Sequence, residues 1–330
     1  EWGWLIRYMH STGASFFFVV VYLHMFRALL YGSYKGPREL LWLIGMFIYL
    51  ALMAEAFFGY VLPWGNMSFW GAQVIVNLFG TIPGIGPALV EWIRGDYGIA
   101  DATLNRFFAL HVVAVPLGLL LLVLLHLVAL RRTGSNNPDG IEIKEKLGPD
   151  GKPLDGIPFH QYYTVKDVVG VGLFFIAFAI VVFFVPTFGG LFLETPNFEP
   201  ANPNSTPEHI APVWYFTAYY AILRAVPDQR LGALLMLLAV MAFMFLPWLD
   251  RSPVKSIRYK GWMSRVALAV FAISFLVLMY LGLQPAEGVY VVLARIFTVL
   301  YFAYFLLMPI YTRIEQVKPV PERVTYHAHA

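Results

Sequence analysis

Four histidines lie inside strongly apolar runs of this chain, His10 and His24 in one and His111 and His126 in another. Fourteen residues of helix turn through about 1400°, which returns His24 to within roughly 40° of His10 and about 21 Å further along the axis. The fifteen-residue step from His111 to His126 leaves about 60°, still one broad face. Two apolar helices that each offer an imidazole near either end make two sites of two imidazoles, stacked across a hydrocarbon layer about 30 Å thick. An imidazole binds iron through one ring nitrogen while the other donates to a nearby acceptor, so matched pairs at two depths are the geometry of two six-coordinate haems. Histidines hydrogen-bonded between helices, or a relay of neutral imidazoles passing protons, are the competing readings. A relay ordinarily includes intramembrane carboxylates, and only Glu55 sits mid-span.

Two further spacings fit the haem reading. Gly45 and Gly59 are also fourteen apart, and a flat porphyrin pressed against a helix needs such gaps; small residues that let helices approach closely are the plainer explanation. Arg7 lies three residues before His10 and Arg27 three after His24, near the same face and close to the two membrane surfaces. Each is positioned to pair with a haem propionate or, more simply, to snorkel to the interface.

The elements that must position these residues follow from composition. With 59% hydrophobic and only 13% charged residues among 330, and a mean hydropathy of +0.66, the chain is too apolar for a soluble globule of this length and is a polytopic membrane protein. Hydropathy predicts seven spans, 9–31, 40–62, 107–130, 168–189, 230–249, 262–283 and 289–312. Of the 23 lysines and arginines, 17 fall on the side holding 131–166 and 6 on the side holding the 62–106 and 190–229 connections. The first side is therefore cytoplasmic, or matrix, and the second faces outward. Both outward connections are rich in aromatics and in Pro or Gly, as expected of short helices lying at an interface or capping a pocket. There is no cysteine, which excludes disulfides, thiolate metal sites, iron–sulfur clusters and covalently attached haem on this polypeptide. Glu1 runs almost at once into a membrane span, which reads as a protein lacking its start. Residues 1–164 read as a haem-binding bundle and 165–330 as a four-span part ending in a polar tail beyond Pro319. The tail's His327 and His329 receive no role.

Five stretches carry a resemblance: residues 2–15 (WGWLIRYMHSTGAS), 59–72 (GYVLPWGNMSFWGA), 106–111 (RFFALH), 133–138 (TGSNNP) and 212–215 (PVWY). They resemble the cytochrome b subunit of the cytochrome bc complex, respiratory complex III, over essentially the whole chain. The resemblance implies an all-α bundle of eight membrane helices, of which the seven here are the second to the eighth. It implies that His10 and His111 hold a low-potential haem b near the outer face, and His24 and His126 a high-potential haem b near the inner face. It further implies ubiquinol oxidation outside and quinone reduction inside, coupled to proton translocation in a bacterial inner membrane. Implied partners are a Rieske iron–sulfur protein, a cytochrome c1-type subunit, a second copy of the complex and a cytochrome c downstream; nucleic acid is not among them. A haem-free transporter, or a di-haem membrane anchor of a dehydrogenase, are the alternatives. The 59–72 and 212–215 motifs speak against the anchor, which would lack an outward quinol pocket.

On the outward side, Tyr60, Pro63, Trp64, Met67, Trp70, Gly71, Pro212, Trp214, Tyr215, Phe216 and Tyr220 offer a mostly apolar wall suited to a flat quinone ring. An aromatic belt at the membrane interface is the simpler account of the same residues. The family's usual Pro-Glu-Trp-Tyr reads Pro-Val-Trp-Tyr here, so Val213 replaces a carboxylate that would accept a proton from quinol. Glu208, with His209 beside it, is the nearest substitute in sequence, and the variant is similar to that of some proteobacterial members. Inside, the quinone-reduction pocket of the family matches Ser135, Asn136, Phe159, Lys166 and Asp167. Arg131 stands where many respiratory members carry histidine. An arginine hydrogen-bonds a quinone oxygen without exchanging protons near neutrality, which leaves proton delivery to Asp167. The fifteen-residue His111–His126 spacing, like Arg131, resembles the plastoquinol-oxidising members. The single chain running on through four more spans is the respiratory arrangement.

Overall fold

A long apolar stretch in lipid must satisfy every backbone N–H and C=O within itself, and a helix does so. In the computed structural model, which describes residues 1–324, seven helices are long and apolar enough to cross a membrane, and no strand occurs among the described residues. In chain order the elements are α1 (Gly3–Tyr31), α2 (Glu39–Val61), the short α3 (Asn66–Phe79) and α4 (Gly86–Arg94), α5 (Asp101–Thr133), α6 (Thr164–Phe184), the short α7 (Thr217–Ala225), α8 (Gln229–Leu249), α9 (Trp262–Gly282) and α10 (Gly288–Ile314). The membrane helices α1, α2, α5, α6, α8, α9 and α10 are the seven expected from hydropathy. His327 and His329 lie outside the described residues.

One boundary moves. The span predicted to reach 189 stops at Phe184, because the residue before Pro186 is driven out of the helical region; Val185 sits at φ −140°. At the other end of the bundle α1 stops at Gly32, whose φ of +64° gives the left-handed cap that returns its N–H to Ala28 O.

The short helices do lie in the 62–106 and 190–229 connections. α7 is nearly all buried and packs against α8, α9 and α10, while α3 and α4 pack on each other beside α2 and α5. The main core joins both halves of the chain, with Phe18, Tyr49, Tyr219, Ile222, Leu278 and Tyr301 among its fully enclosed side chains. Lipid gives helices little hydrophobic reason to associate, so packing and interhelical hydrogen bonds, each about 1 kcal/mol, hold them. Trp42 donates to Phe243 O at 2.7 Å and Tyr301 to Ala239 O at 2.8 Å.

The basic side of the bundle is tied by ions. The buried Asp250 carboxylate pairs with Lys260 and, at 3.1 Å, with Lys35, and accepts from Tyr34 at 2.6 Å. Burial pushes the Asp250 carboxyl up, but Lys260 and Lys35 outweigh it and hold the group below the usual carboxylate range. Nearby, Glu142 pairs with both Arg38 and Lys255. Replacing Asp250 by leucine strands two ammonium groups and is expected to destabilise the fold by about 3–5 kcal/mol. The check is the unfolding temperature of the detergent-solubilised protein, which should drop by several degrees; no drop would show the network to be dispensable.

Candidate functional site

The four histidines meet in two pairs. His10 of α1 faces His111 of α5 with ring centroids 6.0 Å apart, and His24 faces His126 at 6.5 Å. A metal–imidazole bond is about 2 Å long, so two rings on opposite sides of one ion have centroids roughly 6 Å apart. Among the described residues no group of three or more His, Cys, Asp or Glu is placed to hold a bare ion. Two imidazoles suffice only for a metal that brings its other ligands with it, as a porphyrin does. α5 packs along α2, and α1 packs against α6, so the histidine pairs span the gap between α1 and α5.

The unequal spacings are reconciled by the backbone. From Leu110 to Ala114 α5 widens into a π turn, in which Val115 N–H donates to Leu110 O five residues back. A π turn absorbs one extra residue, so the fifteen-residue step from His111 to His126 does the work of fourteen. Glu55 orients His111 twice over: its backbone O lies 2.9 Å and its Oε1 3.0 Å from His111 Nδ1, which leaves Nε2 free. The two glycines serve the imidazoles. A Cβ at Gly59 would sit 2.3 Å from His111 Cε1, and one at Gly45 would sit 3.2 Å from His126 Cε1. Arg7 and Arg27 are exposed toward the two ends of α1, with the Arg27 guanidinium 4.7 Å above the Tyr31 ring.

On the outward side a cavity of about 1160 Å³ opens between α2, α3 and α5 on one wall and α7 and α8 on the other. Gly71, Pro212, Phe216 and Tyr220 line it, as does Tyr219, which the sequence did not single out. Tyr220 donates to Ile210 O at 2.8 Å, fixing the turn that carries Pro212. Tyr215 is buried behind this wall, stacked on Phe18 at 3.8 Å, and Pro63 is exposed; neither lines the cavity. Glu208 is also exposed and outside the lining, and His209 beside it bonds to Leu283 O at 3.1 Å.

The carboxylate that sequence reasoning missed is Glu194. It accepts a short hydrogen bond from the Tyr60 hydroxyl, and burial pushes its carboxyl up to about 7, against the lowering effect of that bond. Its loop is clamped to the start of α3: Asn66 N donates to Glu199 O, Ser68 N to the Asn197 side chain, and Ala201 N to Trp64 O. No motif or periodicity marks Glu194, because its contact with Tyr60 spans 134 residues of sequence.

On the inward side most of the residues named from sequence are exposed. Phe159, Asp167, Ser135 and Arg131 are exposed, and Arg131 borders a shallow recess with Leu127, Val128 and Arg132. Lys166 bonds the Tyr162 hydroxyl at 2.7 Å. Asn136 bonds Tyr31 O and Ser33 Oγ, both at 3.0 Å, tying the 131–164 connection to the end of α1.

Known proteins are similar to this chain in sequence and fold. Residues 1–134 match the family described as Cytochrome b/b6/petB, and residues 200–302 match Cytochrome b(C-terminal)/b6/petD. The cytochrome b of Allochromatium vinosum is 63% identical over 335 residues, covering 98% of this chain and 80% of that protein. That of Rickettsia bellii is 51% identical, covering 98% and 78%. A chain of a hyperthermophilic respiratory complex III superposes with a TM-score of 0.88 at 41% identity, covering 96% of this chain and 80% of that one. The paired histidines in membrane helices thus sit in a chain that belongs to the cytochrome b family, the membrane subunit of quinol–cytochrome c oxidoreductase.

Proposed function

We propose that the chain holds two haem b groups, one between His10 and His111 near the outward face and one between His24 and His126 near the inward face. In this reading it oxidises ubiquinol outside and reduces quinone inside. The observation that carries the reading is the pair of facing imidazole couples, at 6.0 and 6.5 Å, stacked across one bundle. Bound haem b supplies a one-electron iron couple at each depth. The protein's part is to place ligands, exclude water and move protons. Glu55 keeps the His111 ring oriented with Nε2 toward His10, Gly59 and Gly45 make room for the rings, and Arg7 and Arg27 offer charge to the propionates.

The outward cavity receives the quinol ring. Its wall is mainly apolar, with Gly71 on α3 facing Pro212 and Phe216 across the opening. Inward, Arg131, Ser135, Asn136, Phe159, Lys166 and Asp167 border the quinone-reduction side, with Asp167 the carboxylate available for proton delivery. In this reading the two electrons of quinol part, one going to a Rieske iron–sulfur protein and one through the bundle. The lack of cysteine puts the iron–sulfur cluster and the covalent c-type haem on other subunits, the Rieske protein and a cytochrome c1-type partner. The complex is dimeric, resides in a bacterial inner membrane and passes electrons to a cytochrome c.

Filling the outward cavity tests this directly. Gly71→Trp is expected to cut ubiquinol–cytochrome c reductase activity at least about tenfold while the b-haem content stays that of the parent. Full activity in a cavity-filled variant would place quinol elsewhere.

A further inference from the structure

Val213 stands where a proton acceptor is expected, so quinol oxidation in the outward cavity needs another base. Among the described residues, the carboxylates of the outward connections are exposed, Glu208 included, with one exception, Glu194. Glu194 is withdrawn beneath the loop clamp at Asn66, Ser68 and Trp64 and receives the Tyr60 hydroxyl. Tyr60 stands directly behind the cavity wall. Gly71 lines the cavity, and a Cβ built there would lie 3.9 Å from Tyr60 Cε1. With only hydrogen at that position, the edge of the phenol is one van der Waals layer from the quinol pocket.

We infer that Glu194, acting through the Tyr60 hydroxyl, accepts one of the two protons released when quinol is oxidised in this cavity; the inference rests on the quinol-oxidising reading of that cavity. The quinol O–H bond breaks and its proton passes to the Tyr60 oxygen, while Tyr60 gives its own proton to a Glu194 carboxylate oxygen. Tyr60 ends as it began, and Glu194 ends as a neutral carboxylic acid. The two electrons would go to one-electron acceptors, the iron–sulfur partner and the outer haem, and the second proton would go to water at the outward surface. Glu194 is thus a positioning and proton-accepting group one residue removed from substrate, clamped by backbone bonds where Glu208 hangs free.

The electrostatics suit the task. A base works best when its pKa lies near the working pH, and burial holds Glu194 at about 7. The titratable groups facing it are Tyr60 from α2 and Tyr215 from the turn before α7. Both are neutral phenols, and no cation is paired with the carboxylate among the described residues. As pH rises through about 7 the carboxylate becomes available, so the rate should rise with it.

The test uses the intact complex, with a short-tailed ubiquinol as substrate and cytochrome c as acceptor, across pH 5.5–9. Glu194→Gln is expected to lower kcat by roughly 10²-fold, leave KM near that of the parent and erase the rise near neutrality. Glu194→Asp should restore the rise, which a merely structural role would not require. Tyr60→Phe, which removes only the relaying hydroxyl, should lose the same limb even if Glu194→Gln fails to assemble. A Glu194→Gln or Tyr60→Phe complex with parental kcat and pH profile overturns the inference. So does a profile that loses its limb with Glu208→Gln and keeps it with Glu194→Gln. A parent complex that does not oxidise quinol sinks the functional reading instead, which separates the two failures.

Discussion

His111→Ala is expected to leave the bundle folded with one b-type haem per chain instead of two. The lost group is the one near the outward face, because His111 and His10 form one couple and His126 and His24 the other. His10→Ala should lose that same haem, whereas His24→Ala and His126→Ala should each lose the inner one. The four variants therefore fall into two classes with distinct spectra, and a pyridine haemochrome count should read about one haem per chain in all four. Loss of both haems from any one variant, or of neither from all, would mean that the couples are not separate sites. Quinol oxidised in the outward cavity should no longer reduce the remaining inner haem in the outer-couple variants, since the electron route between that cavity and the inner couple is broken.

Gly59→Val should reproduce the His111→Ala spectrum without touching a ligand. A Cβ at Gly59 would lie 2.3 Å from Cε1, 2.8 Å from Nδ1 and 2.9 Å from Nε2 of His111, closer than side-chain carbons come to anything. The ring cannot step aside, because its Nδ1 is held by Glu55 and its other nitrogen must meet the iron. At Gly45 the nearest approach to His126 is 3.2 Å, so a few tenths of an ångström of adjustment admit a methyl group. The two substitutions are thus ordered: Gly59→Ala should already disturb the outer haem, Gly45→Ala should spare the inner one, and valine should be worse than alanine at both. Equal effects at the two glycines, read in reduced-minus-oxidised spectra of matched protein amounts, would contradict the steric account.

Much of this was legible in the sequence, for identifiable physical reasons. Span number follows from hydropathy, which is a local quantity. The early stop at Phe184 turned on a single proline. Histidine and glycine spacings were legible because helix geometry converts sequence separation into angle and depth. The π turn after His111 was not, since nothing in Leu110–Ala114 distinguishes a five-residue hydrogen bond from a four-residue one; the extra residue in the spacing was its only trace. The outward cavity was recognisable through Gly71, Pro212, Phe216 and Tyr220, while Tyr215 turned inward to stack on Phe18. The buried carboxylate was the least legible feature. Proximity in sequence favoured Glu208, but the fold withdraws Glu194 from water and joins it to Tyr60, a pairing that only the loop clamp on α3 creates.

The measurement that bears most directly on the account is a count of b-type haem per chain in the purified parent complex, by pyridine haemochrome against protein mass, together with a quinol-reduced minus oxidised spectrum. Two haems per chain, both reducible by quinol, is the result predicted by two imidazole couples in one bundle. One haem or none in a folded, membrane-inserted chain would contradict it and leave the histidines as a proton relay between α1 and α5.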